Sequence, residues 1–280
     1  MRIGLFPFLT DYSMPVHELA IAAEARGFDS LWVPEHTHIP VHRNTAYPGG
    51  GELPKEYSHT LDPFVALAAA AAVTKEIKLG TGICLLVERD TITTAKTVAT
   101  LDHFSNGRVL FGIGAGWNRE EMENHGANFA NRWKIVREKV LAMKAIWRDD
   151  NAEFHGQFVN FDPIWSWPKP VQAGGPPIWL GANTKWTFDR VAEYCDGWMP
   201  IAGMGSGSMA LLKAACEKRG RDVASIQLAL FGAPTDETQL RGRIDQGFKD
   251  LVFSLPSEGP DKTLPRLDRM AALADKMRKG

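Results

Sequence analysis

Two adjacent residues, Glu35 and His36, follow the apolar run Leu31-Trp32-Val33 and a proline, and both side-chain types handle protons. An imidazole titrates near neutrality, so His36 is a candidate proton donor or acceptor. Glu35 is then a carboxyl that orients His36 or bonds a ligand. His38 completes a His-x-His spacing of the kind barrel hydrolases use for metals, together with ligands from later strands. The later apolar runs end in Gly181-Ala182-Asn183, Met199-Pro200-Ile201 and Phe253-Ser254-Leu255, which contain no histidine or acid. The sequence therefore predicts no metal centre. An ion pair without catalytic duty is the plainer alternative for Glu35 and His36.

A second candidate is the stretch from Arg108 to Trp117. Val109-Leu110-Phe111 is apolar without alternation, as in a parallel strand covered on both faces. Gly112, Gly114 and Gly116 then leave the backbone without side chains, and Asn118-Arg119-Glu120-Glu121 has helix-start chemistry. We read Gly114, Gly116 and Trp117 as one wall of a cofactor cleft, against the alternative of a merely tight strand-to-helix turn. The glycine spacing is not that of a dinucleotide fingerprint. Gly82 and Ile83 suit a bulge that presses on a planar ring. Cys84 has no activating neighbour in sequence and reads as a small buried residue. Gly181, Ala182, Asn183 and Thr184, ahead of a helix, could hold a phosphate through backbone amides and a hydroxyl, although helix capping explains them too.

The elements that must position these residues form a regular series. Strands are predicted at 3–8, 29–33, 77–85, within the glycine-rich stretch 108–117 (apolar at 109–111), and at 177–181, 197–201, 226–231 and 251–255. Helices follow at 15–26, from Asp62-Pro63, from Asp90, at 132–147, 184–195, 209–219, 237–246 and 264–277. This count, with no compositional break, predicts an α/β fold: one (β/α)8 TIM barrel over residues 1–280. Residues 37–60 read as a lid. Residues 153–175, aromatic and proline-rich, read as a hairpin and loop inserted after the fourth βα unit, with the substrate entering between the two segments. A net charge of -1 argues against nucleic acid, and there is neither a leader-like N-terminus nor an apolar run of membrane-spanning length. Three widely spaced cysteines predict a reducing, cytoplasmic setting. The alanine run from Ala68 to Ala72 suggests a homodimer seam or close packing within the barrel.

Four blocks resemble the bacterial luciferase-like flavin and deazaflavin oxidoreductases. They are Gly27 to His36; Ala95-Lys96 through Arg108 into Gly112 to Trp117; Pro168 to Gln172 with Pro176 to Gly181; and Arg190 to Pro200. The resemblance is nearest to the F-420-dependent branch. It implies a barrel holding coenzyme F-420, or alternatively FMN, at its mouth, with Glu35 and His36 near the ring. It also implies a non-prolyl cis peptide at Gly82-Ile83, and Gly181 to Thr184 facing the phosphate. The activity implied is hydride transfer to or from a small, partly apolar substrate. The alternatives are an FMN-dependent monooxygenase supplied by a separate reductase and a non-catalytic flavin-binding protein. Three positions depart from the family's pattern: Asp90-Thr91, Ala182 and Trp133.

Overall fold

The computed structural model describes residues 1–202 and 208–279. Its strands are β1 (Arg2–Pro7), β2 (Ser30–Val33), β3 (Lys78–Thr81), β4 (Cys84–Leu85), β5 (Val109–Gly114), β6 (Ala152–His155), β7 (Asn160–Ile164), β8 (Ile178–Leu180), β9 (Gly197–Trp198), β10 (Gln227–Phe231) and β11 (Asp250–Leu255). All but β6 and β7 belong to one sheet in the order β3-β2-β1-β11-β10-β9-β8-β5-β4, closed by pairing of β3 with β5. β3 and β4 are two halves of one interrupted strand, so the barrel has eight parallel strands. The register sets Leu31 beside Leu5 on one side and Leu79 on the other. Shifting it by one residue would reverse which side chains face inward.

Around the barrel run α1 (Val16–Ala25), α2 (Pro63–Val73), α3 (Thr91–Phe104), α4 (Arg119–Asn124), α5 (Arg132–Arg148), α6 (Thr187–Tyr194), α7 (Ser208–Glu217), α8 (Glu237–Asp245) and α9 (Pro260–Lys279). Aspartates start several of them. Asp62 accepts from the amides of Phe64 and Val65, Asp90 from Thr93 and Asp236 from Gln239, each satisfying donors that a helix start leaves orphaned. Most of the apolar core lies between sheet and helices. The barrel interior is filled by Trp32, Trp179, Met199, Ala229, Phe231 and Val252, with Trp32 and Trp179 edge to face at 5.8 Å. No described helix is long and apolar enough to cross a membrane.

Three expectations need correction. The third strand is not continuous over 77–85: it breaks at Gly82-Ile83, and that peptide is cis. The helix expected from residue 184 begins at Thr187, because the Thr187 hydroxyl accepts the Thr184 amide at 2.9 Å and closes a turn first. The insert does contain a hairpin, β6 with β7, but it does not border the mouth. Glu138 on α5 accepts the amides of Gln157, Phe158 and Val159. Further on, the Gln172 side chain reaches the carbonyl of Val109, where β5 begins. The insert therefore wraps the flank and base of the barrel, and substrate access between it and the 37–60 segment is ruled out by this placement. A 460 Å³ cleft lined by Lys144, Arg148, Gln172 to Pro177 and Asp196 also lies at the base, the end that in barrels serves stability more than chemistry.

Candidate active site

β2 ends at Val33, and Pro34 then carries Glu35 and His36 over the barrel rim. His36 is nearly enclosed, with 7% of its side chain exposed. Its Nδ1 lies 2.9 and 3.1 Å from the two carboxyl oxygens of Glu121, itself buried in the first turn of α4. A carboxylate at Nδ1 holds the proton there and leaves Nε2 free to accept one, while fixing the ring's orientation. None of the described residues bonds Nε2.

Glu35 does something else. Sequence reasoning paired it with His36, but its Oε2 accepts the amide of Leu85 at 2.6 Å and its Oε1 the Nε of Arg89 at 2.5 Å. Arg89 continues to Asp62 at 2.6 Å. Leu85 belongs to β4, beyond the strand break, so Glu35 ties β2 to the detached half of the third strand. Both of its oxygens are engaged there, and Glu121 takes the orienting role at His36.

The glycines are shaped by that same break. A side chain at Gly114 or Gly181 would collide with Ile83, and one at Gly112 with the Thr81 carbonyl. The wall read as open to a ligand is thus first a seat for the Gly82-Ile83 bulge. Gly116 differs: its φ of +72° lies in the left-handed region, which glycine enters without penalty. The turn there sets Trp117 with its ring 6.0 Å from His36. At the other turn, the Gly181 amide bonds the Ile113 carbonyl and the Thr184 amide bonds Thr187. A phosphate at this turn would be left the amides of Ala182 and Asn183 and the exposed Thr184 hydroxyl.

Residues 37–60 do cover the mouth. Tyr57 sits 5.1 Å from the His36 ring, Tyr47 is 6.0 Å from Trp117, and the two tyrosines meet at 5.2 Å. Burial, then the hydrogen bond to Tyr47, pushes the Tyr57 hydroxyl well above its usual range, so it stays a neutral donor. The segment is tied down by Glu120, which accepts the amides of Asn44 and Thr45 at 2.7 and 3.3 Å.

Sequence reasoning missed Glu121, Tyr47, Tyr57 and Glu88. Glu88 closes the short turn Leu86–Glu88 after β4, and its side chain is 1% exposed. Neither of its oxygens has a partner. Both amide atoms of buried Asn118 are also unpartnered, as are Nε of Arg132 and Nη1 of Arg190. No grouping of three or more metal-ligating side chains occurs among the described residues. Cys84, Cys195 and Cys216 are buried free thiols, and burial pushes the Cys84 thiol up, which suits a packing role.

A closed parallel barrel whose strand ends carry a histidine–carboxylate pair beneath an aromatic cover defines an α/β-barrel enzyme with its chemistry at the C-terminal rim. The luciferase-like monooxygenase family profile matches residues 14–235, and the chain belongs to that family of flavin- or F-420-dependent oxidoreductases and monooxygenases. An uncharacterized protein of Mycobacterium tuberculosis is 40% identical over 277 residues, covering 97% of this chain and 98% of the relative. Among solved structures, the monooxygenase RslO1 from Streptomyces bottropensis superposes with a TM-score of 0.78 at 19% identity, covering 99% of this chain and 100% of that one. An F-420-dependent secondary alcohol dehydrogenase in complex with an F-420–acetone adduct gives 0.76 at 20% identity, covering 99% of each chain. At such identities the likeness shows the fold.

Proposed function

We propose that this protein is an F-420-dependent oxidoreductase that moves a hydride to or from a carbon bearing a hydroxyl or carbonyl oxygen on a small, partly apolar molecule. The observation that carries this reading is the His36–Glu121 pair at 2.9 Å under Tyr57 and Trp117. Interconverting an alcohol and a carbonyl releases or consumes one proton per hydride. An imidazole with Nδ1 held by Glu121 and Nε2 unbonded is built to manage that proton. The bound deazaflavin supplies a ring carbon that accepts or releases the hydride. Tyr47, Tyr57 and Trp117 would exclude water and enclose the substrate's apolar part. Glu35 would hold the bulge at Gly82 and Ile83 on which the ring rests.

Partnerless buried polar atoms fit an anionic, amide-bearing cofactor. Arg132 and Arg190 make no ion pair with a carboxylate among the described residues, yet both stack on aromatic rings, Phe129 at 3.7 Å and Trp133 at 4.2 Å. Burial, then mutual repulsion with Arg190 and Arg119, lowers the Arg132 guanidinium. Such a set favours a ligand with several negative groups, which F-420 carries beyond its phosphate. With Ala182, Asn183 and Thr184 they would hold the cofactor's tail. An exposed apolar stripe on α2, including Val65 and Val73, supports association into a homodimer.

Titration of the protein with reduced F-420 and with reduced FMN tests the reading. Tight binding of F-420 alone, with bleaching or recovery of its absorbance in the presence of simple alcohols or ketones, is expected. Preferential binding of reduced FMN with oxygen-dependent turnover would replace it by monooxygenation fed by a reductase. Binding without turnover of either cofactor would leave a flavin-binding protein.

A further inference from the structure

Aromatic side chains form a continuous line from the barrel interior to the mouth, and the reading above uses only its upper end. Phe6 on β1 packs against the filled interior, its ring 5.4 Å from that of Phe231. Side chains alternate along a strand, so Phe8, two residues on and just past the end of β1, continues the side that Phe6 presents. The Phe8 ring is 5.6 Å from Phe6 and 4.8 Å from Tyr57, and Tyr57 lies 5.1 Å from His36. The lower end of the line meets the bulge, since a side chain added at Gly82 would run into the rings of Phe231 and Phe6. Three rings, Phe6, Phe8 and Tyr57, thus join the Gly82-Ile83 peptide to the imidazole.

This line is fixed in place and yet uncovered. The Ser257 hydroxyl, from the turn after β11, donates to the Phe8 carbonyl at 2.6 Å. The Leu61 amide donates to the Leu9 carbonyl at 2.9 Å, and Thr10 pairs with Thr60, so the Tyr57 end of the covering segment is tied to the end of β1. Phe6, Phe8 and Tyr57 are each partly exposed. Packed side chains close the interior below Phe6, which leaves its open side toward the mouth. Other rings have cations over them: Lys55 over Tyr12, Arg89 over Phe64, and Arg119 and Arg132 over Phe129. Among the described residues no lysine or arginine lies over Phe6, Phe8 or Tyr57. What stays open is a neutral surface of ring faces and edges, which favours another ring over an aliphatic group of the same size.

We propose that Phe6, Phe8 and Tyr57 are the substrate wall and that the substrate is an aryl carbinol or aryl ketone, its aromatic ring attached at the carbon that exchanges the hydride. This rests on the hydride-transfer reading and narrows it. The point of attachment follows from the packing of Tyr57 against His36. An oxygen held by the imidazole places the next substituent on the tyrosine ring. In the oxidative direction the carbinol carbon–hydrogen bond breaks and the hydride leaves to the bound deazaflavin. The carbon–oxygen bond becomes double, and the hydroxyl proton passes to Nε2 of His36. The three rings select and orient the substrate and take no part in moving the proton.

The first measurement uses cofactor-free protein and depends on no reaction. Ligand-observed NMR should show acetophenone binding about tenfold more tightly than cyclohexyl methyl ketone, which is of similar size but has no π-system. Phe8→Leu keeps an apolar side chain and should lower that ratio roughly threefold, whereas Phe8→Tyr should preserve it. Equal affinity for the two ketones, or an undiminished preference in Phe8→Leu, would overturn the proposal, and the first outcome needs no variant to fold. The second measurement is turnover with F-420. There kcat/KM for 1-phenylethanol should exceed that for 1-cyclohexylethanol by about tenfold, and Phe8→Leu should narrow the gap mainly through KM. If F-420 is reduced by neither alcohol while acetophenone is still preferred through Phe8, the hydride-transfer reading falls and the wall stands as a site for an aryl ligand. If both alcohols reduce F-420 equally well, the wall falls and the hydride-transfer reading stands.

Discussion

At the base of the barrel the buried charges are bonded at every position, whereas the mouth holds buried polar atoms with nothing attached. Arg108, just before β5, spends all five of its N–H donors: on the Ser105, Ile77, Ala71 and Thr74 carbonyls and the Thr74 hydroxyl. Asp250 at the start of β11 meets Arg2 through two bonds of 2.6 Å. Glu24 gathers the amides of Lys75, Glu76 and Ile77. At the rim, by contrast, Glu88 and Asn118 are buried without partners. Buried polar groups are normally satisfied, so the open carboxyl and amide at the mouth mark a place for a ligand or a proton. Stability and chemistry are segregated along the barrel axis.

That segregation predicts opposite signatures for substitutions at the two ends. The largest effect is expected at His36. His36→Ala should cut turnover roughly a hundred- to ten-thousand-fold while reduced-cofactor affinity and the unfolding midpoint stay nearly unchanged. Steady-state kinetics beside a binding titration read both at once. A loss of affinity matching the loss of turnover would make His36 a binding residue. Next comes the base. Arg108→Met would strand several carbonyls and should cost roughly 3 kcal/mol in denaturant unfolding, with cofactor affinity retained in the folded fraction. Unchanged stability would dissolve the contrast between the two ends.

Glu88→Gln sharpens the comparison, because at the mouth removal of an ionisable carboxyl should stabilise. The unfolded chain releases this proton in the ordinary carboxyl range, while the folded chain keeps it until about pH 9. Between those values the native state binds more protons, so this group lowers stability as pH rises. The melting temperature of Glu88→Gln relative to the unsubstituted protein should therefore climb from about pH 5 to about pH 9 and then level off. A difference independent of pH would mean that the carboxyl ionises normally.

How much of this could be seen in the residues depends on whether a feature is local. His36 at a strand end, the aspartate caps of α2 and α3, the glycine turn before Trp117 and the eight-strand count follow from neighbours in sequence. Glu121 did not stand out, since in the doublet Glu120-Glu121 the sequence does not say which acid turns inward. That depends on how α4 rotates against β2. The pairing of Glu35 with His36 failed because the partners of Glu35, Leu85 and Arg89, lie about fifty residues away. The aromatic insert misled for a related reason: composition marks a loop that packs on something, but not which end of the barrel it packs on. Gly114 and Gly181 were legible as close approaches, yet what approaches them is Ile83.

The doublet itself provides the smallest effect. Glu121 faces His36, while Glu120 turns toward the covering segment and pins it by the Asn44 and Thr45 amides. Its hydrogen bonds with Thr45 and Asn44 draw its carboxyl down to about 2. A carboxyl with a depressed folded value contributes stability above its ordinary range and loses it as pH falls toward the folded value. The tie should thus be whole above about pH 5 and weaken toward pH 2, in step with protonation of Glu120. Hydrogen exchange at Asn44 and Thr45, corrected for its intrinsic pH dependence, should show protection lost over that window while the β-strand amides keep theirs. Glu120→Gln should show reduced protection already at neutral pH and no acid-dependent loss. If those amides exchange alike in both proteins, Glu120 does not hold the cover over His36, and its aromatic contacts with Trp117 and His36 and its bonds at His59 and Thr60 do.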